Sequence, residues 1–537
     1  MIARDQAITG KITANLLQWL DRRSSAQRIG LMLLAGMLTG FSFAPFYAFP
    51  LLGISFPLLL LVLFRDARRF WDAFSFGWWF AFGQLFIGTI WIGDAFEVDG
   101  RYPGWVGYLS VACLAVLLAI YGGLATGLLW RLFHKKDHRR LALPIALSFV
   151  VLWNMAEWLR GHLFTGFPWN LAGYTWGFSD IMLQSAALWG IYGLGLVTIF
   201  WALAPYLLLH RAFAPKAVLG ATGAAAVLFI GLAAYGVLQL AEPTRFNEAV
   251  KLKIVQANIN QKDKWDPERK ADNFIKHLQM SKSAPEEGIT HVIWPETAVI
   301  YFLDTEPSRR YLIADMLKDN SVLMTGFPRI ERAPRLRAWN SFVSIDAAAR
   351  VRNIYDKHHL VPFGEYTPDI LSESLSFLGL GMLVEGFSYT PGDGLKTLRQ
   401  PGTPPFGVLI CYEIIFPGAV VDPADRPDWL LNITNDAWYG TFNGPYQHLI
   451  QSRVRAVEEG LPLIRSAGTG VSAVIDSFGR VVKSLDLNRQ GVIVSFLPVK
   501  RDQVTLYSRN GDWIFLFIMI FLSGISILFQ RQRGRHF

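Results

Sequence analysis

The segment Gly407–Pro417, GVLICYEIIFP, places a thiol and a carboxylate inside an otherwise apolar run. Its first half has the length and composition of a buried strand, and Cys411 stands where that strand ends. A cysteine at such a position serves as a small hydrophobic core residue or as a nucleophile presented at a strand end. Both interpretations fit this stretch alone.

Two other strand-like runs also end in an ionisable residue. HVIWPE (291–296) ends in Glu296, and VRNIYDK (351–357) ends in Lys357. The carboxyl ends of strands in α/β proteins converge on the crevice where chemistry usually occurs. There a carboxylate could take the proton of Cys411, and an ammonium could stabilise a thiolate and then a developing oxyanion.

Further groups near these strand ends could support such a site. The backbone N–H of Tyr412 could join Lys357 in an oxyanion hole, and Glu365 and Glu413 are carboxylates that could orient Lys357 or Glu296. Each residue also has an ordinary structural explanation, as core cysteine, solvated loop acid or exposed lysine. The residues alone therefore indicate a candidate thiol site without deciding its chemistry.

The composition indicates a membrane protein. Of the 537 residues 52% are hydrophobic, and the mean hydropathy is +0.29, which exceeds the values of ordinary soluble domains. Apolar blocks long enough to cross a bilayer alternate with short polar gaps, and a globular composition follows them. The predicted regions are a cytoplasmic segment 1–28, seven transmembrane helices in 29–240, a catalytic domain 245–508, an eighth transmembrane helix 512–529 and a basic tail 530–537.

Basic residues orient the predicted spans, which cover 29–46, 50–64, 71–93, 105–130, 143–159, 183–209, 217–240 and 512–529. One set of gaps and termini carries 18 Lys and Arg, and the opposite short loops carry only Arg101 and Arg160. By the positive-inside rule both termini are cytoplasmic and the domain 245–508 lies outside the cytoplasm. The net charge of +9 is mostly this topogenic charge, so we expect no nucleic-acid partner.

The region 245–508 alternates short strand-like runs with helical ones, which predicts a layered α/β domain with sheets covered by helices. It contains neither a glycine-rich dinucleotide fingerprint nor a Walker-type loop, so we expect no nucleotide cofactor. His358 and His359 are adjacent, so on a strand they face opposite sides and cannot share a metal. We therefore predict a site without cofactor or metal.

Several segments resemble known families. WPETA (294–298), YDKHHLVPFGEY (355–366) and LICYEIIFP (409–417) resemble the three signature segments of the nitrilase superfamily. RGHLFTGFPWNLAGY (160–174), NDAWYGTFNGPYQH (435–448) and the eight spans around an exported domain are similar to the apolipoprotein N-acyltransferase family. The resemblance implies a polytopic α-helical membrane protein with an inserted αββα nitrilase-like sandwich.

The resemblance also implies roles for individual residues. Glu296 would be the general base, Lys357 the electrostatic stabiliser and Cys411 the nucleophile that carries an acyl group as a thioester. The supporting positions that match the family are Glu365, Tyr412, Glu413 and, in a less sharply defined segment, Trp265.

The implied reaction is a two-step acyl transfer in the bacterial inner membrane, with the catalytic domain in the periplasm. The acyl donor would be a phospholipid, typically phosphatidylethanolamine at its sn-1 position, and the acceptor the α-amino group of a diacylated apolipoprotein. We expect no cofactor and a monomer. Two alternatives remain open: a membrane-anchored amidase that hydrolyses a small amide, and a non-enzymatic transporter or receptor.

Two features bear on how lipid would reach the thiol. Ile370–Phe387 is apolar and contains glycines, and we interpret it as a lid that dips into the outer leaflet, the alternative being a buried core helix. The lipid-contact candidates are Leu380, Leu383, Phe387 and Trp438. Glu157 and Arg160, near the end of the fifth span, could line a headgroup pocket or form an ion pair that secures topology.

Overall fold

The computed structural model describes residues 18, 20, 22–99, 103–284, 287–318, 320–332, 336–367 and 388–534. The chain forms two compact units, one with the helices before Ala241 and after Thr505, the other made mainly of Glu242–Val504. The membrane unit contains the helices α1 (Ser25–Gly40), α2 (Leu52–Asp66), α3 (Phe70–Gly88), α4 (Ile92–Asp99), α5 (Gly104–Phe133), α6 (Ala142–His162), α7 (Asp180–Leu183), α8 (Ala186–Ala202), α9 (Ala204–Leu209), α10 (Pro215–Leu240), α15 (Leu506–Asn510) and α16 (Trp513–Gly534).

Among the described residues, six helices are long and apolar enough to cross a membrane, and the bent pair α3 and α4 would make a seventh if counted as one span. The short predicted span 50–64 corresponds to one of the six, since a 3₁₀ turn extends α2 to 18 residues. The predicted span 29–46 falls on α1, which has 16 residues and ends at Gly40. Eight spans therefore remain a prediction, whereas the chain is a multi-pass membrane protein.

Glu157 and Arg160 lie in the last turns of α6, and both side chains are buried. Nη1 of Arg160 donates to the carbonyls of Phe167, at 2.8 Å, and Trp169, at 2.7 Å. A Glu157 oxygen accepts the N–H of Ala172 at 3.2 Å. These contacts hold the following loop against the helix end, so Arg160 is not the exposed loop charge that the count of basic residues assumes.

The second unit is built on two six-stranded sheets within its described residues. The first sheet has the order β12-β1-β2-β3-β4-β5 and the second the order β11-β10-β9-β8-β7-β6. The strands are β1 (Phe246–Gln256), β2 (His291–Ile293), β3 (Val322–Glu331), β4 (Arg337–Asp346), β5 (Val351–Asp356), β6 (Thr397–Gln400), β7 (Thr403–Ile410), β8 (Trp429–Thr434), β9 (Leu463–Ala467), β10 (Ser472–Ile475), β11 (Val481–Leu485) and β12 (Gly491–Pro498).

The two sheets share one design. Each has three parallel strands, β1-β2-β3 in one sheet and β7-β8-β9 in the other, extended by antiparallel neighbours. Three of these parallel strands, β2, β8 and β9, are buried at every residue, as expected for strands covered on both faces. Their carboxyl ends therefore form the natural position for a site.

The sheets face each other, and the helices cover their outer faces. Between the sheets, the rings of Phe342 on β4 and Phe406 on β7 lie 6.1 Å apart. The outer helices are α11 (Gln261–Lys264), α12 (Lys270–Ser281), α13 (Pro307–Met316) and α14 (Gly444–Glu459). Phe274 on α12 and Ile313 on α13 belong to a buried apolar cluster with strand residues of the first sheet. The predicted αββα sandwich is confirmed.

Two strands, one at each edge of the second sheet, lie outside the runs that the sequence predicts as strands, which are 251–258, 291–294, 322–326, 341–345, 351–357, 408–411, 429–433, 463–466, 472–476 and 492–496. They are β6, with four residues, and β11, whose residues are mostly exposed or half-buried. An edge strand with little buried surface carries a weak alternation of apolar and polar residues.

Candidate active site

Cys411 directly follows the parallel strand β7 and is 6% exposed. Its φ angle is +51°, in the left-handed region that costs a non-glycine residue roughly 1–2 kcal/mol. A 3₁₀ turn begins at the same residue, and Glu413 in that turn accepts the N–H of Ile410 at 2.7 Å. The chain thus turns sharply at the thiol, a backbone geometry that is typical of functional sites.

Glu296 lies just beyond β2, and hydrogen bonds occupy both of its carboxylate oxygens. Oε1 accepts from Nδ2 of Asn340 at 2.6 Å, and Oε2 accepts the backbone N–H of Asn435 at 2.7 Å. The turn lies directly against Gly326 on β3, where an added Cβ would come within 2.4 Å of the Thr297 nitrogen. Only glycine allows this approach. The Glu296 carboxylate is held from both sheets, by Asn340 on β4 of the first sheet and by Asn435 after β8 of the second.

Lys357 follows β5 and is 1% exposed. Its Nζ lies 2.8 Å and 2.9 Å from the two carboxylate oxygens of Glu365. Glu365 is held in turn by the N–H of Val361 at 2.8 Å and by Asn340 Nδ2 at 3.0 Å. Asn340 therefore links the carboxylates of Glu296 and Glu365, and Glu365 pairs with the Lys357 ammonium.

The electrostatics couple the three groups predicted as a triad. Burial raises the pKa of Cys411 to about 12, and the Glu296 carboxylate contributes in the same direction while Lys357 opposes it. Burial also raises the pKa of Glu296, against the lowering effect of Lys357. Burial alone would lower the pKa of Lys357, but Glu365 and Glu296 outweigh it and keep the ammonium charged. The resting site is thus a thiol beside a carboxylate and an ammonium.

Glu413 is an acceptor for groups from several segments. Its Oε1 accepts from the Tyr355 hydroxyl at 2.9 Å and from the backbone N–H groups of His358 at 2.8 Å and His359 at 3.2 Å. Burial alone would raise the pKa of Glu413, but the His358 side chain, whose Nδ1 lies 2.6 Å from Oε1, lowers it, together with the Ile410 N–H and the Lys357 charge. Glu413 thus joins the turn that carries Cys411 to the segment after Lys357, and it acts as a carboxylate brace instead of an acid.

Lys264 also belongs to the site, although no motif in the sequence singles it out. Its Nζ is buried and donates to the backbone carbonyl of Glu296 at 2.9 Å. Burial lowers the pKa of Lys264 to about 8, with Glu296 and Cys411 acting in the opposite direction. Its neighbour Trp265, predicted from the family resemblance, is 49% exposed, and its supporting role stays a prediction.

The segment after β8 brings another group to the thiol. The hydroxyl of Tyr439 lies 3.1 Å from Sγ of Cys411. Trp438, predicted as a lipid contact, is half-buried in the same 3₁₀ turn. Tyr412 is buried, with its ring 5.8 Å from that of His359. The quoted segment NDAWYGTFNGPYQH contains Tyr439, but nothing in its spacing indicated which side chain faces the thiol.

The lid prediction lies outside the described residues, which stop at Thr367 and resume at Ser388. This applies to Leu380, Leu383 and Phe387 as well as to the whole segment Ile370–Phe387. Within the described part of the chain, no group of three or more His, Cys, Asp or Glu side chains could hold a metal ion.

Comparison with known proteins agrees with this organisation. Residues 35–204 match the family model of the apolipoprotein N-acyltransferase N-terminal domain, and residues 251–505 match that of carbon-nitrogen hydrolase. An amidase from Nesterenkonia sp. of known structure is 18% identical, with a TM-score of 0.35, over 48% of this chain and 94% of that one.

Two curated relatives align over nearly the whole chain. The apolipoprotein N-acyltransferase of Rhodopseudomonas palustris is 37% identical over 95% of this chain and 96% of its own length. That of Bradyrhizobium diazoefficiens is 38% identical over 94% of this chain and 95% of its own. Similarity of this extent covers the helical unit and the two-sheet unit together, so the chain belongs to the apolipoprotein N-acyltransferase family.

Proposed function

We propose that this protein is an acyltransferase that moves a fatty-acyl chain from a phospholipid to the α-amino group of the N-terminal S-diacylglyceryl-cysteine of apolipoproteins. The observation that carries the proposal is that Glu296, Lys357 and Cys411, each at the end of a strand, lie close enough to act on one another electrostatically, in a chain of this family with a multi-pass helical unit. No cofactor is needed, because the thiol itself carries the acyl group.

In the first half-reaction Glu296 takes the proton of Cys411, and the thiolate attacks the sn-1 ester carbonyl of phosphatidylethanolamine. Lys357 and the Tyr412 N–H stabilise the oxyanion that forms on the carbonyl oxygen. When the tetrahedral intermediate collapses, the glyceryl oxygen leaves with the proton held by Glu296. The products are a lysophospholipid and a thioester on Cys411.

In the second half-reaction the amine of the diacylated apolipoprotein attacks the thioester. Glu296 accepts the proton of the attacking nitrogen, and a second oxyanion forms in the same place. Collapse breaks the carbon–sulfur bond, and the proton returns from Glu296 to the Cys411 sulfur. The product is an N-acylated lipoprotein, and dividing the transfer into two steps is the usual gain of covalent catalysis.

Both substrates have acyl chains in a bilayer, which explains a catalytic domain joined to membrane helices. The excess of basic residues in one set of loops supports cytoplasmic termini and a catalytic domain in the periplasm of the inner membrane. Arg160 is buried, so the opposite loops carry still less exposed positive charge than the sequence count suggests. We propose that the protein acts as a monomer, since every triad residue comes from one chain.

The thioester is the intermediate to test. Purified protein is incubated with phosphatidylethanolamine labelled in its sn-1 acyl chain, and protein-bound label is measured before and after neutral hydroxylamine. We expect hydroxylamine-labile label in the wild type and in Cys113→Ser, and none in Cys411→Ala. Cys113 and Cys411 are the only two cysteines, so the first substitution is a matched control. Label that persists in Cys411→Ala would refute the mechanism.

The acceptor then separates transfer from hydrolysis. Adding a peptide with an N-terminal diacylglyceryl-cysteine should move the label from Cys411 to the peptide. The same peptide with its amine acetylated should leave the label on the enzyme. Release as free fatty acid at equal rates with both peptides would contradict transfer and favour the hydrolase alternative.

A further inference from the structure

His448 lies next to Cys411 and takes no part in the proton and acyl transfers of the two half-reactions. It belongs to α14, is fully buried, and its Nε2 lies 3.2 Å from the backbone carbonyl oxygen of Cys411. That carbonyl and the N–H of Tyr412 belong to the same peptide group. The imidazole therefore contacts one end of the peptide whose other end would face the oxyanion.

The contact with the Cys411 carbonyl shows that Nε2 of His448 carries a proton. The Cys411 carbonyl oxygen can only accept, so Nε2 must donate. On the other side, Nδ1 lies 3.1 Å from Nη2 of Arg465, which can only donate, and 3.0 Å from Oδ1 of Asp436. Burial lowers the pKa of His448, and the Arg465 charge adds to this effect. The Cys411 carbonyl therefore requires a proton on Nε2, while Nδ1 faces the Arg465 guanidinium and the Asp436 carboxylate.

A buried ion pair, formed by Asp436 and Arg465, lies against Nδ1 of the His448 ring. Arg465 on β9 contacts Oδ2 of Asp436 at 2.6 Å, and both side chains are fully buried. Thr434 donates to Oδ1 of Asp436 at 2.8 Å. Burial alone would raise the pKa of Asp436, but Arg465 and His448 lower it strongly. Asp436 and Arg465 neutralise each other's charge, and Nε2 of the imidazole donates a hydrogen bond to the Cys411 carbonyl.

We propose that His448 is a positioning residue that holds and polarises the Cys411–Tyr412 peptide, so that the Tyr412 N–H is a stronger donor to the oxyanion in both half-reactions. This inference rests on the proposed function. A hydrogen bond received by a peptide carbonyl strengthens the bond donated by the N–H of the same peptide, by about 10–30% in condensed-phase estimates. The same contact helps to keep Cys411 at its strained φ of +51°.

Two amide substitutions separate this role from packing. His448→Gln places an amide N–H close to the position of Nε2, whereas His448→Asn is polar too but too short to reach the Cys411 carbonyl. For each variant, two rate constants are measured on the same full-length, folded preparation. One is single-turnover acylation of Cys411 by labelled phosphatidylethanolamine, and the other is alkylation of Cys411 by iodoacetamide, which forms no oxyanion.

We expect His448→Asn to slow acylation about 2- to 8-fold, the factor that corresponds to 10–30% of the free energy behind the roughly 10²–10³-fold effect of a whole oxyanion donor. Alkylation should stay within about 1.5-fold, and His448→Gln should acylate within about 1.5-fold of the wild type. Acylation at the wild-type rate in His448→Asn, or equal losses of acylation and alkylation, would overturn the inference while leaving the proposed function intact.

If His448→Asn does not fold, His448→Gln alone decides, and a tenfold or larger loss of its acylation rate would overturn the inference. A wild-type protein that forms no hydroxylamine-labile acyl-Cys411 would overturn the proposed function and this inference with it.

Discussion

Replacing Glu413 by alanine removes the acceptor that joins the turn of Cys411 to the segment after Lys357. Three backbone N–H groups, those of Ile410, His358 and His359, lose their partner at 2.7–3.2 Å, and so does the Tyr355 hydroxyl. The carboxylate is buried, so these donors do not simply return to bulk water. We expect the substitution to destabilise the catalytic domain strongly.

The expected loss in the free energy of unfolding follows from the number of hydrogen-bond donors that the substitution leaves without an acceptor. Each buried donor left without a partner costs about 1–3 kcal/mol. The tyrosine hydroxyl can rotate, and water entering the vacated space can satisfy part of the rest, so we expect a loss on the order of 3–6 kcal/mol. Domains are stable by only about 5–15 kcal/mol in total. Glu413→Gln keeps one oxygen and should lose about 1–3 kcal/mol.

Thermal unfolding of the purified protein in detergent, followed together with acyl-enzyme formation, measures this effect. At roughly 2 °C per kcal/mol, Glu413→Ala should lower Tm by about 6–12 °C. The matched control is Glu331→Ala, which removes an exposed carboxylate paired with Arg337 and should change Tm by less than about 2 °C.

The effect should also depend on pH with a definite sign. The folded-state pKa of Glu413 lies below its ordinary value of 4.5, so its stabilisation is fully present above that value and is lost as the pH falls through the lower one. The Tm difference between wild type and Glu413→Ala should therefore narrow in acid. A difference below 2 °C at pH 7, with acylation intact, would refute the assignment of Glu413 as a brace.

Two further predictions concern the thiol and its base. Because burial raises the pKa of Glu296, the acylation rate should fall as the pH drops through that raised pKa. Asn340 donates to the ionised form of Glu296, so Asn340→Ala should move the acidic limb of the pH–rate profile to higher pH. An unshifted profile would contradict this role of Asn340. Tyr439→Phe removes the hydroxyl 3.1 Å from Sγ of Cys411 and should slow iodoacetamide alkylation of Cys411 about 10-fold, the equivalent of one hydrogen bond to a charged group; an unchanged alkylation rate would show that the hydroxyl does not stabilise the thiolate.

Local sequence patterns contained much of this architecture. The long apolar blocks indicated a multi-pass protein, and the strand-like runs ending at Glu296, Lys357 and Cys411 indicated strands whose ends could meet. Strand β7, for example, is recognisable because its residues from Phe406 to Ile410 are all buried and nearly all apolar. The triad roles themselves came from family resemblance, since three separate residues carry no spacing rule.

The supporting groups could not be read from the chain, because their contacts join residues far apart in sequence. Asn340 reaches Glu296 across 44 positions, and the Asn435 N–H reaches it across 139. His448 meets the carbonyl of Cys411 across 37 positions. Each of these residues has an unremarkable local context, and its role arises only when two sheets and an outer helix come together.

The sequence by itself determined the long membrane helices and the buried strands, because the burial of such an element requires an apolar run of a given period and length. Only the tertiary structure decided that Glu413 braces the site, that Lys264 contacts the backbone of Glu296, and that Arg160 is buried. The reason is physical: hydrogen-bond partners and buried charges are properties of a three-dimensional neighbourhood, and periodicity along the chain contains no information about which distant donor completes it.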